Sequence, residues 1–349
     1  MDRQESSTLN IVRFVMSVFI VFLHSYTTVQ MYPFLHDQPI YQGIARVISF
    51  QCGEVAVPSF FLISGFLFFC GYKPTMECYK YKIKKRFYSL LIPYLFWNAL
   101  IIFVYYGAEC IPAIRSLFND GKKLVHDFGI TDFLGAFWAR NDGGPILDQL
   151  WFVRNLILLS FASPLVYIIV RYTRLLGVAI LGLFWMFSPG MAYPQSSIFY
   201  FCLGAWFSIN GRSLTSSLDK IAKYLFIAFP IIMVLDPLLE GTPVGFYAHR
   251  LQTLTGVFFT IALVSWLVKR GTIRDIAFLS SSSFFLYVAH DPMLRFMRKF
   301  SIKVLDQNSE VQMIFAYFGV VIVDIAIVYA AYWLLQRYAP KVLEWTTGR

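Results

Sequence analysis

Charge is what this sequence has least of. Only 14% of its 349 residues are Asp, Glu, Lys or Arg, where soluble domains carry about a quarter. Hydrophobic residues make up 58% and the mean hydropathy is +0.60, which excludes a chain that is soluble along most of its length. No polar stretch is long enough to build a separate soluble domain, so one membrane domain over residues 1–349 is the simplest organisation. Cysteine is sparse as well. Cys52, Cys70, Cys78, Cys110 and Cys202 form no CxxC pair and leave one over, so neither a disulfide framework nor a metal site is signalled. Cys52 and Cys110 are the two that could meet outside the membrane; isolated thiols are the expectation. Internal repeats and low-complexity tracts are also missing. No small-residue cleavage site follows the first apolar run, which therefore reads as a retained helix and not as a signal peptide.

In their place stand apolar runs of roughly twenty residues, the length that crosses about 30 Å of hydrocarbon. Runs at 11–29, 55–72, 88–107, 150–170, 175–189, 196–209, 221–239, 251–268, 277–294 and 312–335 predict an all-α polytopic membrane protein with about ten transmembrane helices. The sixth run is short, and Pro230 in the seventh predicts a kink. Lys and Arg near span ends resist translocation and set the orientation. In "KPTMECYKYKIKKRF", Lys73, Lys80, Lys82, Lys84, Lys85 and Arg86 stand against a lone Glu77, which puts this loop in the cytoplasm and both termini with it. The net charge of +10 then marks cytoplasmic loops and lipid headgroup contacts, and no nucleic-acid partner is expected. The exception is "LRFMRKFSIK": Arg295, Arg298, Lys299 and Lys303 fall on the outer side, so either the count is off by one there or these charges have an anionic partner. The longest loop, 108–149, is expected outside, and its "ITDFLGAFWA" is too short to span and reads as a re-entrant or surface segment.

An ionisable side chain within a span costs about 2.5–3.5 kcal/mol on insertion scales and is a functional candidate by default. Arg13 and His24 in "NIVRFVMSVFIVFLHSY" are such candidates. Along a helix they stand about 16 Å apart, and eleven steps of 100° bring them to within about 20° of one face. Arg13 lies near the cytoplasmic boundary, where a guanidinium holds phosphate bidentately, and His24 lies toward the outer side. The plain alternative is that Arg13 snorkels to headgroups while His24 hydrogen-bonds a neighbouring helix.

The spacing R-x10-H in the first run is followed by "VPSFFLISGFLFF" in the second and a basic run before "LLIPYLFW". "LWFVRNLILLSFASPLVY" comes in the fourth and "SSSFFLYVAH" near the ninth. Each motif alone is degenerate, but the ordered set resembles the acyltransferase-3 family of membrane O-acyltransferases over essentially the whole chain. The resemblance implies ten spans, in agreement with the hydropathy count. It also implies transfer of an acyl group, usually acetyl from cytoplasmic acetyl-CoA, to a hydroxyl of a surface glycan or its lipid-linked precursor. The setting implied is the plasma (inner) membrane of a bacterium. Some members carry a fused extracytoplasmic esterase-like domain; this chain is expected to act alone or with a separate partner.

By the same resemblance, Arg13 and His24 match the family's essential pair, with His24 as general base or transient acyl carrier and Arg13 holding the donor. Lys82, Lys84, Lys85 and Arg86 match a basic stretch, often RxxR, that helps bind CoA phosphates. Ser89 stands where that pattern has its second arginine, and an ordinary positive-inside anchor is the alternative. Ser64 and Gly65 form a small-residue step for close helix packing, with substrate contact by Ser64 as the alternative. Glu54, at the outer boundary, either steers the acceptor or sits solvated. Trp151 and Arg154 open the fourth run as membrane-belt residues or as a sugar-stacking platform. Tyr287 and His290 match a YxxH motif that completes the site across from His24 or caps the helix end. Arg295 and Arg298 follow directly, and a pyrophosphate-linked lipid carrier would explain their side. His36, His126 and His249 read as solvated loop residues. The expected partners are acyl-CoA, a glycan or lipid-linked saccharide acceptor, and membrane lipid, with homo-oligomerisation left open. Acetyl-CoA, or another short acyl-CoA, enters as donor substrate, and no tightly bound cofactor is expected. A transporter or exporter, or an envelope glycan polymerase or ligase, are the competing readings.

Overall fold

A computed structural model describes residues 1–112, 123–140, 143–190, 193–291 and 293–348, and among them every regular element is a helix. α1 (Arg3–Ser25) starts where the Asp2 carboxylate accepts the Glu5 N–H at 2.7 Å, satisfying one of the orphan donors of its first turn. α2 (Pro39–Phe69) and α3 (Met76–Glu109) are continuous rods, each interrupted by a π turn, at Arg46–Cys52 and at Phe87–Leu91. Such turns are frequent beside functional sites because the extra residue re-aims the side chains around it. They are followed by α4 (Ile130–Phe137), α5 (Trp151–Phe161), α6 (Ser163–Phe187), α7 (Tyr193–Ile209) and α8 (Leu214–Asp219). The remainder is α9 (Ala222–Leu238), α10 (Gly245–Lys269), α11 (Ala277–Ala289), α12 (Met293–Val304), α13 (Glu310–Tyr338) and α14 (Pro340–Thr347).

Six of these, α1, α2, α3, α6, α10 and α13, are long and apolar enough to cross a membrane. The other apolar runs fall on shorter helices: 196–209 on α7 and 221–239 on α9, each of 17 residues, and 277–294 on α11, of 13 residues. Seventeen residues rise about 26 Å, short of the hydrocarbon thickness of about 30 Å. The run at 150–170 is shared between α5 and the start of α6, and the run at 175–189 is the rest of α6. α6 breaks at Arg174, whose φ of 54° and ψ of −131° leave the helical region, between the apolar runs at 150–170 and 175–189. α9 continues through both Pro230 and Pro237. Of the loop at 108–149, residues 113–122 and 141–142 lie outside the described residues; α4 occupies the "ITDFLGAF" segment with Ile130 and Leu134 exposed. All five cysteines are free thiols.

α1 is the hub, packed by α2, α8, α10, α11, α12 and α13, and both of its ends are pinned by charge. Glu5, buried, accepts from Ser213 Oγ and Leu214 N, each at 2.8 Å, so its carboxylate meets the start of α8, where backbone N–H groups favour an anion. At the other end Arg298 of α12 donates to the carbonyls of His24 at 2.9 Å and Tyr26 at 3.2 Å, a cation on a helix C-terminus. Elsewhere α2 and α7 touch backbone to backbone. A Cβ on Gly65 would stand 2.1 Å from the Phe201 carbonyl oxygen, and one on Gly204 would stand 1.9 Å from that of Leu62. With no hydrophobic effect to drive association within lipid, such small-residue contact supplies the packing.

Candidate active site

The π turn of α3 follows Arg86 directly and brings that side chain to a cavity of about 120 Å³ between α1, α2, α3, α5 and α11. Arg13 and Ser17 of α1, Ser64 of α2, Arg86 and the ring of Tyr287 line it, with Phe60 and Phe152 as apolar walls. Arg13 and Arg86 come from different helices and lie close enough to feel each other's charge. Two guanidiniums on one small cavity favour an anionic occupant, phosphate or carboxylate above all. Of the basic stretch, Arg86 alone lines this space. Lys82 donates to the carbonyls of Phe68 at 2.7 Å and Cys70 at 2.8 Å, closing the C-terminus of α2, while Lys84 and Lys85 are exposed and Lys85 lies 4.6 Å from the centre of the Tyr81 ring.

Farther along α1, His24 faces His290 with ring centroids 5.1 Å apart. His290 is fully buried at the end of α11; its Nδ1 lies 3.2 Å from the Leu286 carbonyl oxygen, and its Nε2 has no hydrogen-bond partner among the described residues. A ring that donates from Nδ1 carries its lone pair on Nε2 and can receive a proton there. The Tyr287 hydroxyl donates to the Gln149 carbonyl, which ties α11 to the turn ahead of α5 and fixes the register of both Tyr287 and His290.

Arg295, in the basic cluster of α12, finds its counter-charges within the chain. Arg295 donates to Asp291 Oδ1 at 2.7 Å and Asp148 Oδ2 at 3.2 Å, and Arg140 donates to Asp148 Oδ1 at 2.8 Å. Burial disfavours the charged guanidinium of Arg295, but Asp291 and Asp148 more than offset this and raise its pKa above the ordinary arginine value. Arg298 serves the end of α1, as described above. Arg154 donates to the carbonyls of Trp138 at 2.5 Å and Gly143 at 2.9 Å, so it holds the segment after α4 and not a shared platform with Trp151. Trp151 instead packs against Tyr193 of α7, ring centroids 4.5 Å apart.

The reading of His249 as a solvated loop residue is corrected. It sits in the first turns of α10, half-buried, with Nε2 2.5 Å from Glu54 Oε2 and Nδ1 3.2 Å from Asp236 Oδ2. Glu54 is accordingly paired and not merely solvated. No local pattern in the sequence announces a contact between residues 54, 236 and 249, because it depends on how three helices pack. His126 is likewise engaged, 3.2 Å from Glu109 and stacked on Tyr106 at 4.3 Å, while His36 is exposed. Asp324 is a further acid within an apolar run. It is fully buried on α13, and neither carboxylate oxygen has a hydrogen-bond partner among the described residues. Its signal was available: a lone acid inside an apolar run is the same warning that singles out Arg13 and His24. Among the described residues no group of His, Cys, Asp and Glu is arranged to hold a metal ion.

Comparison with known proteins gives the family. A family profile described as an acyltransferase domain, that of acyltransferase family 3, matches residues 7–333. The chain is similar to the succinoglycan biosynthesis protein ExoH of Rhizobium meliloti (strain 1021), with 25% identity over 358 aligned positions that cover 100% of this chain and 93% of that protein. No solved structure matches it significantly.

Proposed function

Because the chain belongs to the acyltransferase-3 family, we propose that it is an integral membrane O-acetyltransferase that takes acetyl from cytoplasmic acetyl-CoA and esterifies a hydroxyl of a cell-surface glycan or its lipid-linked precursor. The observation that carries this reading is the cavity with Arg13 and Arg86 on one helix system and the His24–His290 pair farther along the same α1. The likeness to a succinoglycan biosynthesis protein supports a polysaccharide as the acceptor class. In this reading the chain makes ten crossings, the fourth by α5 with the first part of α6, the fifth by the rest of α6 beyond Arg174, and with α7, α9 and α11 as short spans; both termini are cytoplasmic, in the inner membrane of a bacterium.

The division of labour follows from the chemistry of a thioester, which is already activated and needs a held donor, a deprotonated acceptor and a steadied oxyanion. Arg13 and Arg86 pair with CoA phosphates at the cytoplasmic side. The cavity suits a thread-like acyl-pantetheine arm, while the nucleotide stays at the mouth near Lys84 and Lys85. The arm spans the about 16 Å that separate Arg13 from His24 along α1. His24 takes the acceptor hydroxyl proton as the new C–O bond forms; the C–S bond breaks, and the proton held by His24 passes to the departing thiolate, which leaves as CoA and returns the imidazole to its neutral form. His290 lies against the His24 ring and steadies its orientation. The test is acetyl-CoA binding to the purified protein in nanodiscs. Arg13→Ala is expected to weaken it by about tenfold or more, the loss of one charge-assisted pair; unchanged binding removes the donor assignment and returns the transporter reading.

A further inference from the structure

A second polar centre stands at the His24 end of α1. The turn at Gly53–Val55 lies against α1 at the residue before His24, since a Cβ on Gly53 would stand 2.9 Å from Leu23 Cβ. Here α2, α9 and α10 converge on one imidazole: His249 meets Glu54 Oε2 at 2.5 Å and Asp236 Oδ2 at 3.2 Å. Its ring is stacked on Phe50, centroids 4.9 Å apart at 26°. The support behind it is dense. Gln51 donates to the Met233 carbonyl at 2.7 Å, and Gln252 donates to the Gln51 carbonyl at 2.8 Å. Asp236 is enclosed, with 5% of its side chain exposed, whereas Glu54 keeps 26%.

That difference separates two readings. A clamp between helices would enclose both carboxylates. Glu54 instead keeps about a quarter of its side chain exposed and directs one oxygen to His249. Arg250, next to His249, donates to the Gly190 carbonyl at 2.9 Å, which holds the segment before α7 against this centre; Tyr193, at the start of α7 and 45% exposed, packs on Trp151 and lies within electrostatic reach of Glu54. Trp151 and Phe152, the latter a wall of the cavity that Arg13 and Arg86 share, both pack on Phe61, with ring centroids 6.2 and 4.6 Å away. A chain of ring contacts therefore leads from the cavity wall to Tyr193, on the side of a carboxylate whose orientation is fixed from behind. Ring faces for the C–H surface of a sugar and one held anion for its hydroxyls are the elements of a carbohydrate site.

We propose that Trp151, Tyr193 and Glu54 form the subsite for a neutral sugar ring of the acceptor, and that His249 and Asp236 are positioning residues that fix the Glu54 carboxylate. This rests on the acyl-transfer reading and adds where the acceptor binds. The subsite lies beside the end of α1 that carries His24, so a ring seated there presents a hydroxyl toward the histidine pair.

The test uses the full-length protein in nanodiscs, labelled acetyl-CoA, and surface polysaccharide extracted from cells that lack the protein. Glu54→Gln, nearly isosteric, and Tyr193→Ala are expected to raise the KM for polysaccharide about tenfold or more, with the KM for acetyl-CoA within about twofold. His249→Ala is expected to shift the same KM by a smaller factor, and Glu54→Asp to recover part of the loss. Acetyl-CoA binding at the wild-type level verifies that each variant is folded. A polysaccharide KM unchanged in Glu54→Gln, or donor and acceptor KM values that rise together, overturns the subsite. If the wild-type protein transfers no label at all, the acyl-transfer reading itself fails; if the wild type transfers and the variants keep their acceptor KM, the subsite fails alone.

Discussion

His24 and His290 lie ring against ring at the C-terminal end of α1, centroids 5.1 Å apart and planes inclined at 57°. One is eleven residues from Arg13 on the first helix, the other closes α11, and the fold makes them neighbours. His290 reaches its place through the Leu286 carbonyl and the anchored Tyr287 beside it. His290→Ala is expected to slow transfer by about 10²-fold, the lower range for an acid–base group or its support, while acetyl-CoA binding stays at the wild-type level. Single-turnover kinetics with saturating donor reads the chemical step apart from binding.

The basic stretch divides by what each side chain faces. Arg86→Gln is expected to raise the Kd for acetyl-CoA by about 10- to 100-fold, the equivalent of roughly 1.5–3 kcal/mol for a hydrogen bond to a charged group. Lys84→Ala and Lys85→Ala, both exposed, are expected to change it by less than about threefold at physiological salt. Lys82→Ala acts on stability instead, since its ammonium closes the end of α2. Isothermal titration and a thermal-shift measurement on the same variants separate these effects.

Gly65 and Gly204 leave no room for a methyl group. Alanine at either position places Cβ about 2 Å from a carbonyl oxygen of the facing helix. Both backbones would have to part. Gly65→Ala and Gly204→Ala are expected to reduce the yield of folded, monodisperse protein sharply, read by size exclusion in detergent, whereas Gly319→Ala, which meets no neighbour, is expected to be neutral or mildly stabilising.

Arg295 is held by two carboxylates, and Asp291 is almost wholly enclosed, with 1% of its side chain exposed. Arg295→Ala leaves that carboxylate without its partner and is expected to cost roughly 1–3 kcal/mol of stability. Asp148→Asn, at a half-exposed position, is expected to cost less than about 1 kcal/mol. A thermal melt of the single variants and of Arg295→Ala with Asp291→Asn checks this; recovery in the double variant identifies the buried charge as the cause.

Much of this arrangement can be read from residue order. The helical membrane class follows from composition, and Arg13, Ser64, Arg86 and Tyr287, four separate candidates in the sequence, meet at one cavity. An apolar run with a rare polar residue carries its own marker, because burial of that residue is costly unless it is used. The span count is less legible, since hydropathy sees apolar content and not where a helix stops: α7 and α9 end after 17 residues, and the fourth and fifth runs share α6. Least legible are contacts made by tertiary packing. Nothing near Arg295 in sequence points to Asp148, and nothing near Glu54 points to His249; each pairing is set by which helix ends lie together. The same holds for Lys82 and Arg154, whose charge suggests a ligand while each donates to two backbone carbonyls.

The most direct test of acyl transfer along α1 is the fate of labelled acetyl from acetyl-CoA in membranes containing wild-type protein or His24→Ala. With wild-type protein, ester-linked label is expected on extracted polysaccharide or its lipid-linked precursor. With His24→Ala, transfer is expected to fall by at least about 10³-fold, with acetyl-CoA binding retained through Arg13 and Arg86. Full transfer by folded His24→Ala protein would contradict a role for this histidine in the chemical step.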